Sequence, residues 1–336
     1  MIKEAIYEVV NGNNLDYKMA NDAMLEIMEG KATNAQIGGF LTSLRLKGET
    51  VDEIAACAAA MRAKCHPVKH SASDVLEIVG TGGDEANTFN ISTTASFVIA
   101  ADGVTVAKHG NRSVSSKCGA ADCLESLGAR IELDAVQNEK MLDTIGMCFM
   151  YAPVYHASMK YAAPVRKELG VRTIFNILGP LSNPAAANIQ LMGVYDAALV
   201  HPMAKVLNKL GVKRGAVVYG DGLDEITACG KTMVCEVNNG KFSDYQIDPV
   251  EYGMVYAARD ALIGGVGVEN ARISRTVLQG EKGAKRDTVL LNAGMSLYLA
   301  GQVNDITAGV KKAADIIDSG AAYQKMQQFI KNTNEV

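Results

Sequence analysis

Residues 80–93 read GTGGDEANTFNIST, with Gly80, Gly82 and Gly83 crowded into four positions and hydroxyl and amide side chains behind them. The apolar run DVLEIVG (74–80) precedes this stretch and SFVIAAD (96–102) follows it. Ordered glycine costs backbone entropy, so three together answer a need for tight turning or for close approach of the backbone to something. The first run reads as a β-strand, and the second as a helix that begins near Ser92 or Thr93. A glycine turn from strand to helix gathers backbone N–H groups into an anion nest, and the helix N-terminus adds free donors and a favourable dipole. Hydroxyls of Thr81, Thr88, Ser92 and Thr93 can add bonds to phosphate oxygens. Two common phosphate fingerprints fail: the Rossmann pattern wants glycine where Glu85 stands, and no Gly-Lys-Ser/Thr run follows. A purely structural turn explains this stretch equally well when it is taken alone.

Outward from this stretch, short apolar β-rich runs (DVLEIVG, VTVAK, GAVVYG) alternate with helical ones (TASFVIAAD, ALVHPMAKVLNKLG, TAGVKKAADIIDSG). The alternation predicts an α/β domain with a largely parallel sheet flanked by helices. Residues 1–70 read instead as a small all-helical domain. Thr33 to Gln36 and Thr50 to Glu53 each have capping-box spacing, and Ile37, Phe40, Leu41 and Leu44 line one face before Gly48 stops the helix. Helical residues 1–70 and an α/β domain over 71–336 put the natural ligand site in the cleft between them.

The chain has 336 residues, 48% of them hydrophobic, and a formal net charge of -4. It can bury one large core or two modest ones, and it lacks the basic excess of a general nucleic-acid binder. No stretch reaches about eighteen apolar residues, so no membrane span is expected and the protein reads as cytoplasmic. Seven cysteines, with no Cys-x-x-Cys pair, fit reduced thiols. Cys65, His66 and His70 lie close in sequence, but Pro67 breaks the helix that a metal-binding spacing of four would need, which leaves a linker.

Two further stretches bear on the glycine turn. KHGNRSVSSK (108–117) follows the expected strand VTVA and carries Lys108, Arg112 and Lys117 with no acidic residue. Arg112 can grip two phosphate oxygens as a fork, whereas lysine acts as a point charge. Two such loops, each after a strand and joined by one helix, belong at the same sheet edge, where α/β proteins bind ligands. After GAVVYG comes Asp221-Gly222-Leu223-Asp224-Glu225. Its carboxylates either solubilise a turn or, facing a polyphosphate, hold Mg2+.

In this order, GTGGD, NIST, KHGNR, GAADCLESLG, YHASMKYAAPVRKELGVRTIFNILGPLSNP, DGLDEIT and LLNAGMSLYLAG resemble the anthranilate phosphoribosyltransferase family nearly end to end. GTGGD alone does not separate that family from the pyrimidine nucleoside phosphorylases; the combination with KHGNR and DGLDEIT is more selective. The resemblance implies a nucleoside phosphorylase/phosphoribosyltransferase-like fold, with a helical segment near 165–185 returning to the small domain, and a homodimer formed through the helical part. It implies transfer of a phosphoribosyl group from phosphoribosyl pyrophosphate (PRPP) to the amine of anthranilate in tryptophan biosynthesis, with Mg2+ as cofactor. Carried over by motif, PRPP falls to Gly80, Gly83, Asp84, Thr88, Asn90, Ile91, Ser92, Thr93, Lys108, His109, Gly110, Asn111, Arg112, Ser113, Val114, Ser115, Ser116 and Ala120. Gly80, Asn111, His156 and Arg166 are implied for anthranilate, with Arg172 as a competing, more structural candidate for its carboxylate. Ser92, Asp224 and Glu225 are implied for the metal.

Lys108, Asn111 and Arg112 would act by charge and positioning, and no general base is assigned. His109 reads as a hydrogen-bonded structural histidine, and Asp84 as a ligand of ribose hydroxyls or of a metal-bound water. The chain departs from the family at Ala120, where serine is common, and at Glu85, where glycine is frequent. Loss of the serine hydroxyl removes a phosphate contact of roughly 1 kcal/mol. A nucleoside phosphorylase and a catalytically silent nucleic-acid-binding relative are the alternatives. Asp224, Glu225 and the negative net charge count against the second.

Overall fold

The structure is a computed structural model that describes residues 1–113 and 117–336. Four helices open the chain: α1 (Ile2–Val10), α2 (Tyr17–Met28), α3 (Asn34–Lys47) and α4 (Val51–Ala63). α3 and α4 start where hydroxyl caps satisfy their first N–H groups. The Thr33 hydroxyl accepts the Gln36 N–H at 3.3 Å while Gln36 answers the Thr33 N–H at 2.9 Å. Thr50 and Glu53 repeat the exchange at 3.2 and 2.7 Å. Buried Glu53 also accepts the Leu15 N–H and the Lys47 ammonium, each at 2.9 Å, so one cap ties α4 to α3 and to the loop between α1 and α2. Gly48, at φ +88°, closes α3.

Seven strands follow: β1 (Leu76–Gly80), β2 (Val106–Gly110), β3 (Met147–Tyr151), β4 (Ile189–Gly193), β5 (Arg214–Gly220), β6 (Thr232–Asn238) and β7 (Lys241–Ile247). Their order is β3-β2-β1-β4-β5-β6-β7; the first five are parallel, and β6 and β7 add an antiparallel hairpin at one edge. Helix α5 (Ile91–Ala101) links β1 to β2, and α6 (Ala120–Leu127) with α7 (Ala135–Ile145) links β2 to β3. β4, IQLMG, is buried at every position, as expected of a strand covered on both faces. From β1 the winding runs through β2 to β3 on one side, while β4 and β5 lie on the other. The crevice between β1 and β4 is therefore the topological switch point.

Two apolar cores flank the sheet. One joins β1, β2 and β3 to α5 and the C-terminal helices Ala284–Leu299, Ile306–Asp318 and Ala321–Glu335. The other runs from the four N-terminal helices through Ala162, Val165, Ile174, Phe175 and Leu181 to helix Val200–Lys209. Arg62 at the end of α4 donates to the Leu181 carbonyl at 2.6 Å and the Leu210 carbonyl at 3.1 Å, fastening the bundle to the sheet domain. Both His70 ring nitrogens lie near 3 Å from backbone carbonyls, of Ala72 and Ala185, which leaves a linker there and no ligand. The seven cysteines form no disulfide, and among the described residues no helix is long and apolar enough to cross a membrane.

At the switch point Gly80 and Gly193 pair across β1 and β4, and the turn after β5 folds back over both. A Cβ on Gly80 would overlap the Asp224 carboxylate, and one on Gly193 the Asp224 backbone carbonyl. A Gly193→Ala variant should lose about 2 kcal/mol of stability through this overpacking. Gly179→Ala, whose Cβ meets nothing within 4 Å, should change little. Urea denaturation of both variants checks the pair; equal midpoints would refute the close approach.

Candidate functional site

The segments that follow β1, β2 and β5 meet at the switch point. After Gly80 the chain turns through Thr81, whose N–H donates to the Gly193 carbonyl at 3.0 Å and whose hydroxyl accepts the Tyr195 N–H at 3.1 Å. Asp224 enters this turn from the far side of the switch point. Its carboxylate accepts the Gly82 N–H at 2.6 Å, and its own N–H lies 3.5 Å from the Asp84 carboxylate. Glu225 accepts the Ser92 N–H at 3.1 Å, in the first turn of α5. Lys108, buried on β2, donates to the Ile78 carbonyl at 2.6 Å and to the Ser92 hydroxyl at 3.1 Å.

Three carboxylates, Asp84, Asp224 and Glu225, thus share a small volume with one ammonium. Burial holds Asp224 well above the usual carboxylate range, and the charges of Asp84 and Glu225 push it further. Burial carries Glu225 up to about 7, with Lys108 opposing. Lys108 itself is lowered by burial, against the pull of Glu225, Glu77 and Asp224. Closely spaced carboxylates beside a serine hydroxyl fit a hard divalent cation, which would offset the burial that raises these groups and the repulsion between them.

Side chains alternate along β2, so His109 points away from Lys108. Its ring packs on His156 with centroids 5.0 Å apart. Burial lowers His109 to about 3 and His156 to about 4, so both rings are neutral at pH 7. Each keeps a buried Nε2 without a partner. Arg166, on helix Ala163–Leu169, lies over the Phe175 ring at 5.0 Å. Among the described residues its guanidinium makes no hydrogen bond or ion pair, and burial lowers its pKa. It is a half-buried guanidinium with its donors uncommitted.

Other expected residues are placed differently. Arg112 does not point its fork at the glycine turn; α6 holds it, with Asp122 at 3.1 Å and Glu125 at 2.7 Å. The chain leaving β2 crosses the start of α6, so the nearest anions to Arg112 are its own neighbours in the fold. Asn111 and Ser113 join that crossing: the Asn111 carbonyl accepts the Ala121 N–H at 3.2 Å, and the Ser113 N–H donates to Asp122 at 2.9 Å. Gly110 lies against Phe149 and the Ala120 methyl. Asn90 is engaged in the scaffold, accepting from Asn270 at 2.9 Å and donating to the Cys118 carbonyl at 3.3 Å. Ile91 and Thr93 are buried, so only their backbone can face a ligand. Thr88 forms a bridge with Ile263. Val114, Ser115 and Ser116 lie outside the described residues.

Arg172 and Glu85, both singled out in the sequence, and Glu77, which was not, acquire defined surroundings. Arg172 donates to the Gly83 carbonyl, lies over the Tyr195 ring at 4.3 Å and sits 3.7 Å from Glu85, bracing the turn. Glu85 itself has φ +59°, a conformation that favours glycine and accounts for the frequent glycine at this position in the family. Glu77, buried on β1, accepts the His109 N–H at 3.3 Å and is pushed up to about 8, chiefly by burial. Its lone place in an apolar strand is the only local signal that could have marked it.

Residues 72–323 match the family described as "Glycosyl transferase family, a/b domain", and residues 3–65 match its helical bundle domain. The chain is 58% identical to an anthranilate phosphoribosyltransferase of Ruminiclostridium cellulolyticum, over 99% of this chain and 98% of the relative. It is 56% identical to that of Lachnoclostridium phytofermentans, over 99% of each. Among solved structures, anthranilate phosphoribosyltransferase from Thermus thermophilus superposes with TM-score 0.94 at 41% identity, covering 98% of this chain and 99% of that one. The Saccharomyces cerevisiae enzyme in complex with PRPP and Mg superposes with TM-score 0.92 at 28% identity, covering 100% and 98%.

A carboxylate whose pKa is raised on folding stabilises the fold while protonated, and that contribution is lost as pH rises through the folded value. Glu225 near 7 and Glu77 near 8 both act in this sense, while His109 and His156, lowered from 6.5, are already neutral in this range. The melting temperature of the metal-free protein should therefore fall between about pH 6.5 and 8.5, with a shallower fall in Glu77→Gln. Calorimetry across that range checks it, and a flat profile in the parent protein would count against these buried acids.

Proposed function

The chain belongs to the glycosyl transferase family, among its anthranilate phosphoribosyltransferases, and from that membership and the site we infer the reaction it carries out. The phosphoribosyl group of PRPP passes to the amine of anthranilate, giving N-(5-phosphoribosyl)anthranilate and pyrophosphate, a step of tryptophan biosynthesis. One observation carries the reading at atomic level: Asp84, Asp224, Glu225, Ser92 and Lys108 converge where a glycine turn meets the start of α5.

The diphosphate lies along that turn, with the first turn of α5 and Lys108 facing its oxygens. Ser92, Asp224 and Glu225 hold Mg2+, and Asp84 stands beside them. When bound, the ion offsets negative charge on the pyrophosphate as it leaves. The bond from the anomeric carbon to the pyrophosphate oxygen breaks through an oxocarbenium-like state while the arylamine nitrogen forms the new bond. For Arg112 to join the diphosphate it must exchange Asp122 and Glu125, so the cation that the fold already supplies is Lys108.

Arg166 pairs with the carboxylate of anthranilate, which gives its uncommitted donors the anion that the protein does not provide. His156 lines the approach and packs on His109. Both rings stay neutral, so neither adds positive charge next to a ribose that is itself becoming cationic. The arylamine keeps its lone pair at pH 7 and needs positioning more than a base. No residue is given the part of a general base.

We place the enzyme in the cytoplasm as a homodimer formed through the helical domain. Tyr7, Val10 and Leu46 on α1 and α3 are 69%, 68% and 83% exposed, apolar surface that a second copy would cover. Sedimentation should give a dimer that Leu46→Glu shifts toward monomer. A monomeric parent would refute this assembly.

Pure protein mixed with Mg2+, PRPP and anthranilate should consume anthranilate fluorescence, and omission of Mg2+ or Asp224→Asn should suppress it. Release of base from uridine and phosphate, with no loss of anthranilate, would reassign the chain to the nucleoside phosphorylases. Arg166→Ala should raise the anthranilate KM about 10- to 100-fold, the weight of a charge-assisted pair, and leave the PRPP KM nearly unchanged. Equal rises in both would point to a displaced segment and not to a lost carboxylate contact.

A further inference from the structure

At the antiparallel edge of the sheet, a second set of ligand atoms converges. Cys235 on β6 and Asp244 on β7 face each other directly across the hairpin, on the side covered by helix Val200–Lys209. That helix places His201 over the pair. His201 Nδ1 lies 3.4 Å from Cys235 Sγ and 3.5 Å from Asp244 Oδ1, and the three atoms all lie within 4.8 Å of one another. Bond lengths to tetrahedral zinc put ligand atoms about 3.4–3.6 Å apart, which both measured edges match.

The arrangement differs from a nucleophile relay. In a Cys-His-Asp relay the two ring nitrogens face opposite partners, so a proton can pass along the chain. Here thiol and carboxylate both face Nδ1, so the ring does not stand between them as a relay, and three potential ligand atoms crowd around one point. A cation at their centre satisfies all three. Sulfur, imidazole and carboxylate together suit zinc and related borderline divalent metals, not the hard Mg2+ of the other site.

We propose that His201, Cys235 and Asp244 form a second metal site, specific for a zinc-class divalent cation. The fourth position opens on a cleft of about 590 Å3 lined by Ala197, Met233, Tyr245 and Gln246, which admits a water or a small anion. β7 is the edge of the sheet, so an ion here clamps the edge hairpin to helix Val200–Lys209. Burial and Asp244 push the Cys235 thiol up to about 12, against Lys205, so the ion would bind by displacing the thiol proton.

Cobalt tests this, because it reports its ligands in its spectrum. Chelator-stripped protein, with Mg2+ saturating the oxygen-rich site, should take up one equivalent of Co2+. Uptake should show a sulfur-to-cobalt charge-transfer band in the near ultraviolet and tetrahedral bands in the visible, and zinc should abolish both. His201→Ala and Cys235→Ser should each lose the charge-transfer band, and Asp244→Ala should weaken cobalt binding at least ~10-fold. The His201 and Asp244 side chains are 48% and 66% exposed, so both can be changed without opening the core, and retained phosphoribosyl transfer confirms the fold. The proposal is overturned by a parent protein with no such band, by a band that survives His201→Ala and Cys235→Ser, or by affinity unmoved in Asp244→Ala. None of these outcomes touches the transfer reaction, which uses other residues.

Discussion

The backbone of Asp224 rests on Gly80 and Gly193, the last residues of two adjacent parallel strands. No residue with a Cβ fits at either position without displacing that turn. This close approach brings the turn after β5 into the crevice between β1 and β4 and lowers a carboxylate onto the Gly82 N–H. Glu225, the next residue, then reaches the start of α5, and the glycine turn, the helix terminus and the clustered acids come together. A side chain at Gly193 would pry these three apart, although it touches no ligand itself.

Electrostatics at this point favours binding over stability. Burial is the largest cause raising Asp224, Glu225 and Glu77 and the largest lowering Lys108, so the mutual attraction of these groups only partly offsets their loss of water. The cluster holds more carboxyl groups than one lysine balances. Across β2 the opposite regime holds. His109 and His156 are kept neutral by burial, and Arg166 keeps its donors uncommitted. Strand β2 therefore separates the carboxylate–lysine cluster on one face from a pair of neutral imidazoles on the other.

The helical bundle serves this division at a distance. Its core runs into residues 162–181, so the helix that carries Arg166 and the turn that holds Arg172 are anchored on the N-terminal helices, while the diphosphate half is anchored on the sheet. The two cores have no residue in common, and that of the bundle continues onto one face of the sheet through Met192, Val217 and Cys235.

Much of this was legible in the sequence because it is local. The capping boxes at Thr33 and Thr50, the strand runs, the glycine turn before α5 and the carboxylate pair at 224–225 are each specified within a few residues, by hydrogen bonds or periodicities that close over short spans. The partners were not legible. That Arg112 would be held by Asp122 and Glu125, that Arg172 would brace Gly83, and that Glu77 would accept the His109 N–H depend on strand order and on which helix crosses which loop. Gly82 and Asp224 are 142 residues apart and 2.6 Å from atom to atom. The sequence alone determined which groups could bind an anion or a metal, because that is a property of residue type and local backbone. Only the tertiary structure decided which charges share one desolvated volume, because Coulomb energy depends on distance and on excluded water, and neither is written along the chain.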